Sequence, residues 1–376
     1  MPDEYAWVPA LVVVLVVALG ALAAGLVIWR QDRTPGRAAA GRGTRHSQAD
    51  RSRGDTSRGM LLGVVINPSK EGAEDVRAAV ERVCAEAALP APLFYETAVD
   101  DPGTGQARQA LADGADVVVA AGGDGTVRAV AQALAGTGRP MGLIPVGTGN
   151  LLARNLDLPL TSVPDAVAVV LGGTDRAIDV GRARVTEFAP DAEPLTDGDP
   201  HRAHIFLVIA GLGFDAAMVA DADDQLKAKV GWVAYFLAGA RHLHGRRMRV
   251  TIRLDDGEAV EARLRTIMVG NCGRLPGGIT LLPDAVIDDG ELDVAAIDTR
   301  GGLAGWAQLF GEVVAQGLGV RNDLPGKIGR IDHTRARRAV IRVDGGEQAQ
   351  VDGDPLGSAV ELETWVEPGA LVVRTG

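Results

Sequence analysis

From residue 61 onward, apolar residues follow two rhythms that alternate along the chain. Leu61–Ile66 and Asp116–Ala121 are nearly continuous apolar runs of strand length, and Leu93–Tyr95 and Met141–Ile144 are shorter runs of the same kind. Between and after them, Ala73–Ala88, Gly105–Ala112, Val127–Leu134, a short piece around Leu151 and Val163–Leu171 place apolar side chains at helical spacing. Apolar strands covered on both faces and alternating with amphipathic helices predict a doubly wound α/β unit. From about Arg176 the pattern changes. Short alternating segments at Arg247–Leu254, Glu258–Val269, Leu292–Ile297, Ala339–Val343 and Val360–Glu363 are interrupted by helical stretches at Lys227–Leu243 and Leu303–Gly317. This predicts a β-sandwich with inserted helices as a second domain. The expected division is an α/β domain over 60–180 and a β-sandwich over 181–366.

The N-terminal region has another pattern. Ala6–Trp29 holds 24 residues without a charge, rich in Val, Leu and Ala, with Trp7 and Trp29 near its ends. That length spans a bilayer, and the expectation is one N-terminal transmembrane helix within residues 1–30. A cleaved signal peptide is the rival reading, because Ala21-Leu-Ala23 resembles a cleavage site, but Asp3 and Glu4 provide no basic leader. Residues 31–59 read as an Arg-rich disordered linker, and the positive-inside rule then predicts a single-pass protein of the cell membrane with its body in the cytoplasm. The linker arginines could also rest on anionic lipid head groups.

Composition refines this picture in two respects. Residues 1–59 carry eight arginines against five carboxylates, whereas the whole chain has a net charge of −11, so the body is acidic and no nucleic-acid partner is expected. The two cysteines, Cys84 and Cys272, have no disulfide or zinc spacing and read as reduced, packed thiols.

The candidate chemistry sits on two turns. Gly122-Gly123-Asp124-Gly125-Thr126 follows the run ending at Ala121 and precedes a helical pattern. Its glycines allow close backbone approach, Thr126 is placed to cap the helix, and the helix N-terminus attracts anions. Asp124 would repel phosphate unless Mg²⁺ lies between them, which points to a metal–nucleotide complex. About 25 residues on, Pro145-Val-Gly147-Thr148-Gly149-Asn150 repeats the arrangement of strand, glycines and helix, so both turns are expected to face one crevice. No G-x-x-x-x-G-K-[ST] occurs, which excludes a P-loop. Gly211-Leu-Gly213-Phe-Asp-Ala216 matches a dinucleotide fingerprint but lacks the later acidic residue, and is read as a coincidence.

In these turns and in motifs beyond them, the chain resembles the bacterial diacylglycerol kinase and lipid kinase family, whose Gly-Gly-Asp-Gly-Thr turn is shared with NAD kinases and phosphofructokinases. The likeness includes Asn67-Pro68-Ser69, Pro145–Asn150, Ala210–Asp215, Lys229–Tyr235, Leu282–Asp293 and Val351-Asp352-Gly353-Asp354, in order over about residues 60–376. The chain departs from the family pattern at three sites. Arg128-Ala129 replaces Asn-Glu, Leu151 follows Asn150 where Asp is usual, and Asp354 replaces a glutamate one methylene longer.

The resemblance implies the same two-domain form, with Leu371–Arg374 within the segment 367–376 returning to the first domain. It also implies an ATP- and Mg²⁺-dependent kinase acting on a membrane lipid hydroxyl, diacylglycerol first and sphingoid bases or other lipid alcohols as alternatives. Asn67, Thr97, Gly122, Gly123, Asp124, Gly125, Thr126, Gly147, Thr148 and Asn150 would contact nucleotide, and Asp124 would hold the catalytic Mg²⁺. Asp354 is the implied general base with Asp352 as helper. Asp289 with the carbonyls of Val286 and Glu291 is the implied structural Mg²⁺ site, for which a plain turn is the alternative. A homodimer, a non-catalytic binding protein and a kinase for a soluble nucleotide stay open.

Overall fold

The computed structural model describes residues 59–70, 72–190, 192, 199–213, 247–276, 280–299 and 329–376. The expected helical stretches at 227–243 and 303–317 and the expected anchor and linker lie outside these residues. Ser57–Gly376 forms one compact unit.

The α/β half follows the sequence rhythm closely. Strand β1 (Leu62–Ile66) leads through helix α1 (Ala73–Glu86) to β2 (Leu93–Glu96), and α2 (Thr104–Ala112) leads to β3 (Val117–Gly122). Then come α3 (Asp124–Leu134), β4 (Pro140–Pro145), the short α4 (Leu151–Asn155) and α5 (Val163–Gly172). Strand β1 pairs in parallel with both β2 and β3, and β3 with β4. Side chains alternate between the two faces of this sheet. Leu62, Val64, Ile66, Val117 and Val119 pack with Val76, Val80, Val167 and Val170 of α1 and α5, while Val65, Val118 and Ala120 pack with Ala107, Ala110, Val130 and Ala131 of α2 and α3. Each fully buried Val or Leu stabilises the fold by about 1.5–3 kcal/mol, which is why both faces must be covered.

The second half is antiparallel. Its strands are β5 (Thr174–Phe188), β6 (His204–Phe206), β7 (Ile209–Leu212), β8 (Met248–Leu254), β9 (Val260–Leu264), β10 (Thr266–Gly270), β11 (Leu292–Thr299), β12 (Gly329–Ala336), β13 (Arg338–Val351) and β14 (Asp354–Thr375). The halves share one hydrogen-bonded path in the order β12-β11-β10-β7-β13-β14-β4-β3-β1-β2. Strand β14 makes the join: it pairs antiparallel with β13 and β5, then in parallel with β4 at Val372 and Val373.

Several expected elements differ from those found. The segment expected as one strand over 258–269 is two, β9 and β10. The separate strands expected at 360–363 and 371–374 are parts of one, because Glu367-Pro368-Gly369 is a bulge within the β14–β5 ladder and not a turn between elements. Helix α3 begins at Asp124, with Gly123 at its N-cap and no side-chain cap, so Thr126 is a buried residue of the first turn and not the cap. The single-pass membrane placement is not supported: among the described residues, which leave out the expected anchor, no helix is long and apolar enough to cross a membrane.

Candidate active site

The order β4-β3-β1-β2 changes direction between β1 and β3, and the crevice outside the carboxyl ends of such strands is where ligands bind in doubly wound sheets. The segments leaving this edge are stitched to one another. Asn67 N–H donates to the Ala121 carbonyl, Thr97 N–H to Ile66, and Val146 N–H to Gly122. Asn67, Thr97 and both Gly-rich turns are therefore brought to a single sheet edge.

The two turns touch. A Cβ on Gly147 would lie 2.6 Å from the Cα of Gly123, so only glycine allows the backbones to approach this closely. Asn150, itself in the left-handed region at φ 49°, closes the second turn: its amide donates to the Gly147 carbonyl at 2.7 Å and its side-chain oxygen accepts from Gly147 N–H at 3.1 Å. Asp124 ties the turns together, accepting from Asn150 N–H at 3.0 Å and Leu151 N–H at 2.6 Å. Gly125 and Thr148 are exposed, whereas Thr126 and Asn150 are buried.

The small cavity beside Asp124 is walled largely by Val127, Leu143, Leu152 and Ala153. Burial pushes the Asp124 carboxyl above the usual range; the Leu151 and Asn150 N–H groups oppose the shift, and the charge of Asp352 adds to it. Each Asp124 oxygen accepts one backbone N–H and keeps a lone pair for a divalent cation brought in with phosphate, so this carboxylate fits the expected Mg²⁺.

Asp352 and Gly353 both have positive φ, 47° and 91°, and form the two-residue turn between β13 and β14, as Val351 pairs with Asp354. The Asp352 carboxylate accepts from the N–H groups of Leu207, Val208 and Ile209 at 2.8–2.9 Å. This interaction explains why the apolar run 204–210 is split into β6 and β7. Both Asp352 oxygens are thus engaged in bracing the turn, a structural role beside that of the expected helper base. Burial raises the Asp352 carboxyl, against Arg128 and the three N–H groups. Asp354 is exposed, and Arg128 of α3 donates to it across the crevice. The hairpin and the first Gly-rich turn thus meet through a side chain that the sequence had marked only as a departure.

The expected structural cation site lies on a different turn, and its donors do not fit a cation as they stand. One Asp289 oxygen accepts from Glu291 N–H at 3.0 Å and the other from the Arg335 guanidinium at 3.3 Å. The same guanidinium lies 3.9 Å from Glu291 and 3.7 Å from Asp293, and donates to the Asp284 carbonyl. Arg335 provides there the positive charge expected from a metal. Val286 is exposed, and no group of three or more His, Cys, Asp or Glu side chains suited to a metal occurs among the described residues.

Three side chains escaped the sequence reading. Arg335 is one; buried Asp179 is another, accepting from Gly290 N–H at 2.6 Å and Gly369 N–H at 2.7 Å, which pins the Asp289 turn to the β14 bulge. A lone carboxylate between Ile178 and Val180 was the available signal. His204 is the third, held near the site with its pKa lowered to about 4 by burial and the charges of Arg202 and Arg128.

A doubly wound half with paired Gly-rich turns, joined to a β-rich half that presents a carboxylate hairpin, defines a two-domain kinase fold. The family described as diacylglycerol kinase catalytic domain matches residues 62–183, and the YegS C-terminal NAD kinase beta sandwich-like domain matches residues 208–375. A Pseudomonas aeruginosa protein named "Probable lipid kinase YegS-like" is 32% identical over 83% of this chain and 93% of its own length. A Mycobacterium tuberculosis protein named diacylglycerol kinase is 31% identical over 70% of this chain and 78% of its own length. The crystal structure of a diacylglycerol kinase from Bacillus anthracis is similar in fold, with a TM-score of 0.62 at 22% identity, covering 86% of this chain and 99% of that one. The chain belongs to the lipid kinase family and is a kinase.

Proposed function

We propose that the protein transfers the γ-phosphoryl group of ATP, with Mg²⁺, to a lipid hydroxyl, and that diacylglycerol is the acceptor, giving phosphatidic acid. The observation that carries this reading is the meeting of the two Gly-rich turns through Asp124 opposite the Asp352–Asp354 hairpin. Phosphoryl transfer needs phosphate positioning, charge neutralisation and a base for the attacking hydroxyl. Backbone groups of Gly123 and Gly125, with Thr148 at the rim, line the phosphate side; Asn67 and Thr97 flank it for the rest of the nucleotide. A divalent ion supplies charge neutralisation when bound with the nucleotide, and Asp124 is the carboxylate that would hold it. Asp354 accepts the proton of the acceptor hydroxyl as its oxygen bonds to the γ-phosphorus and ADP leaves. The names of the relatives support a lipid acceptor, and that of the Mycobacterium tuberculosis protein supports diacylglycerol.

The test is transfer of labelled γ-phosphate from ATP to diacylglycerol in mixed micelles with Mg²⁺. Labelled phosphatidic acid, lost in Asp124→Ala and Asp354→Ala, is the expected result. Label in another lipid alcohol only would move the acceptor, and label in none would overturn the reading.

A further inference from the structure

Asp354 opens β14 just after the two-residue turn, and its side chain is 57% exposed, whereas that of Arg128, its partner, is 18% exposed. The two lie 226 positions apart in sequence, and their contact joins α3 to the β13–β14 hairpin. They are also two of the three departures from the family pattern: a long cation in place of a carboxamide, and a carboxylate one methylene short. Beside its contact with Asp354, burial lowers the Arg128 pKa, Asp352 opposes that lowering and Arg202 adds to it. His204 is near enough to feel the Arg128 charge in turn. A guanidinium enclosed by packing has few alternative positions, so in this pair it is the exposed carboxylate that is held.

We propose that Arg128 is a positioning residue that fixes Asp354 across the crevice and makes up for its shorter reach. The inference rests on the reading of Asp354 as the base. An ion pair with one exposed partner contributes little to stability, whereas displacing a reacting group by about 1 Å can cost about 100-fold in rate. The contact itself is therefore felt far more in turnover than in unfolding.

The experiment is steady-state kinetics of the full chain with ATP, Mg²⁺ and diacylglycerol micelles, with thermal unfolding of each variant measured alongside. Arg128→Ala is expected to lower kcat by about 10- to 100-fold, with KM for ATP within about twofold; the unfolding midpoint falls as well, because packing and the cation beside Asp352 are lost, and Asp354→Ala, which breaks the same pair from its exposed side, leaves the midpoint nearly unchanged. Arg128→Lys, which keeps the charge, recovers part of the loss, and Arg128→Asn combined with Asp354→Glu exceeds Arg128→Asn alone. A raised KM for ATP with unchanged kcat would make Arg128 a nucleotide ligand and overturn the proposal. So would an unchanged kcat in Arg128→Ala while Asp354→Ala is inactive. Asp354→Ala at the wild-type rate would remove the base and this proposal together, and no lipid product from the wild type would instead be the failure of the proposed function.

Discussion

Two of the chain's Asp-Gly pairs, Asp352-Gly353 in the crevice and Asp289-Gly290 before β11, look alike in sequence, yet the fold treats their carboxylates in different ways. Asp352 is bonded by three backbone N–H groups of the segment 207–209. Asp289 is bonded by one N–H of its own turn and by Arg335. Backbone donors stabilise an anion without cancelling its charge, and Arg128, the guanidinium that also acts on Asp352, donates to Asp354 instead, so the crevice carboxylates Asp124, Asp352 and Asp354 outnumber the cation among them. A guanidinium cancels the charge, and the second turn becomes a structural clasp. The dipeptide specifies the turn, and what the rest of the chain brings to the carboxylate decides its use.

The contrast can be broken from its strongest side first. Asp124→Ala removes the acceptor that joins the Gly-rich turns and leaves two N–H groups without it; phosphotransfer is expected to fall by about 1000-fold, measured as initial rates of label transfer. Asp352→Ala frees three N–H groups and is expected to cost about 3 kcal/mol in urea unfolding, with Asp352→Asn costing less. Asp289→Ala should cost less than about 1 kcal/mol, because its ion pair lies at the surface. Without nucleotide, the wild-type unfolding midpoint should be the same in Mg²⁺ and in EDTA. A Mg²⁺-dependent rise abolished by Asp289→Ala would erase the distinction between the two turns.

The smallest effect is one of pH. His204 has its folded pKa lowered to about 4, below the ordinary value of 6.5, so the folded state favours the neutral ring. The stability this contributes is fully present above pH 6.5 and is lost as pH falls through that window toward 4. His204→Gln should flatten the decline in midpoint between those pH values by a few degrees at most, since the ring is partly exposed.

The α/β half was legible because strands covered on both faces leave long apolar runs, and because glycines mark the turns at the strand ends. The β-rich half was less legible for reasons that can be named. β5 carries Asp175, Arg176, Asp179, Arg182 and Arg184, which disguise a 15-residue strand whose charges are paired or bonded across the sheet. Arg182 meets Glu367 at 3.0 Å, and Arg184 meets Glu363 at 2.5 Å. Glu367-Pro368-Gly369 gave a turn signal that the fold uses as a bulge, with Gly369 at φ 61° and its N–H bonded to Asp179. In the crevice, the turns could be read locally and Asp354 through the family resemblance, but the part played by Arg128 could not, nor could that of Arg335 at the Asp289 turn. Each acts on a carboxylate supplied by a distant segment, and no local pattern encodes which carboxylate that will be.

Strand β14 has one more consequence. Its Val372 and Val373 complete the α/β sheet beside Pro140 and Met141, although every strand of the β-rich half precedes them in the chain. During synthesis, the half that leaves the ribosome first must therefore wait with an open sheet edge until residues translated much later arrive. The sheet begun first is thus completed last, and a newly made chain lacks both the β14 partner of β4 and the Asp352–Asp354 hairpin of the crevice until almost all of it has been translated.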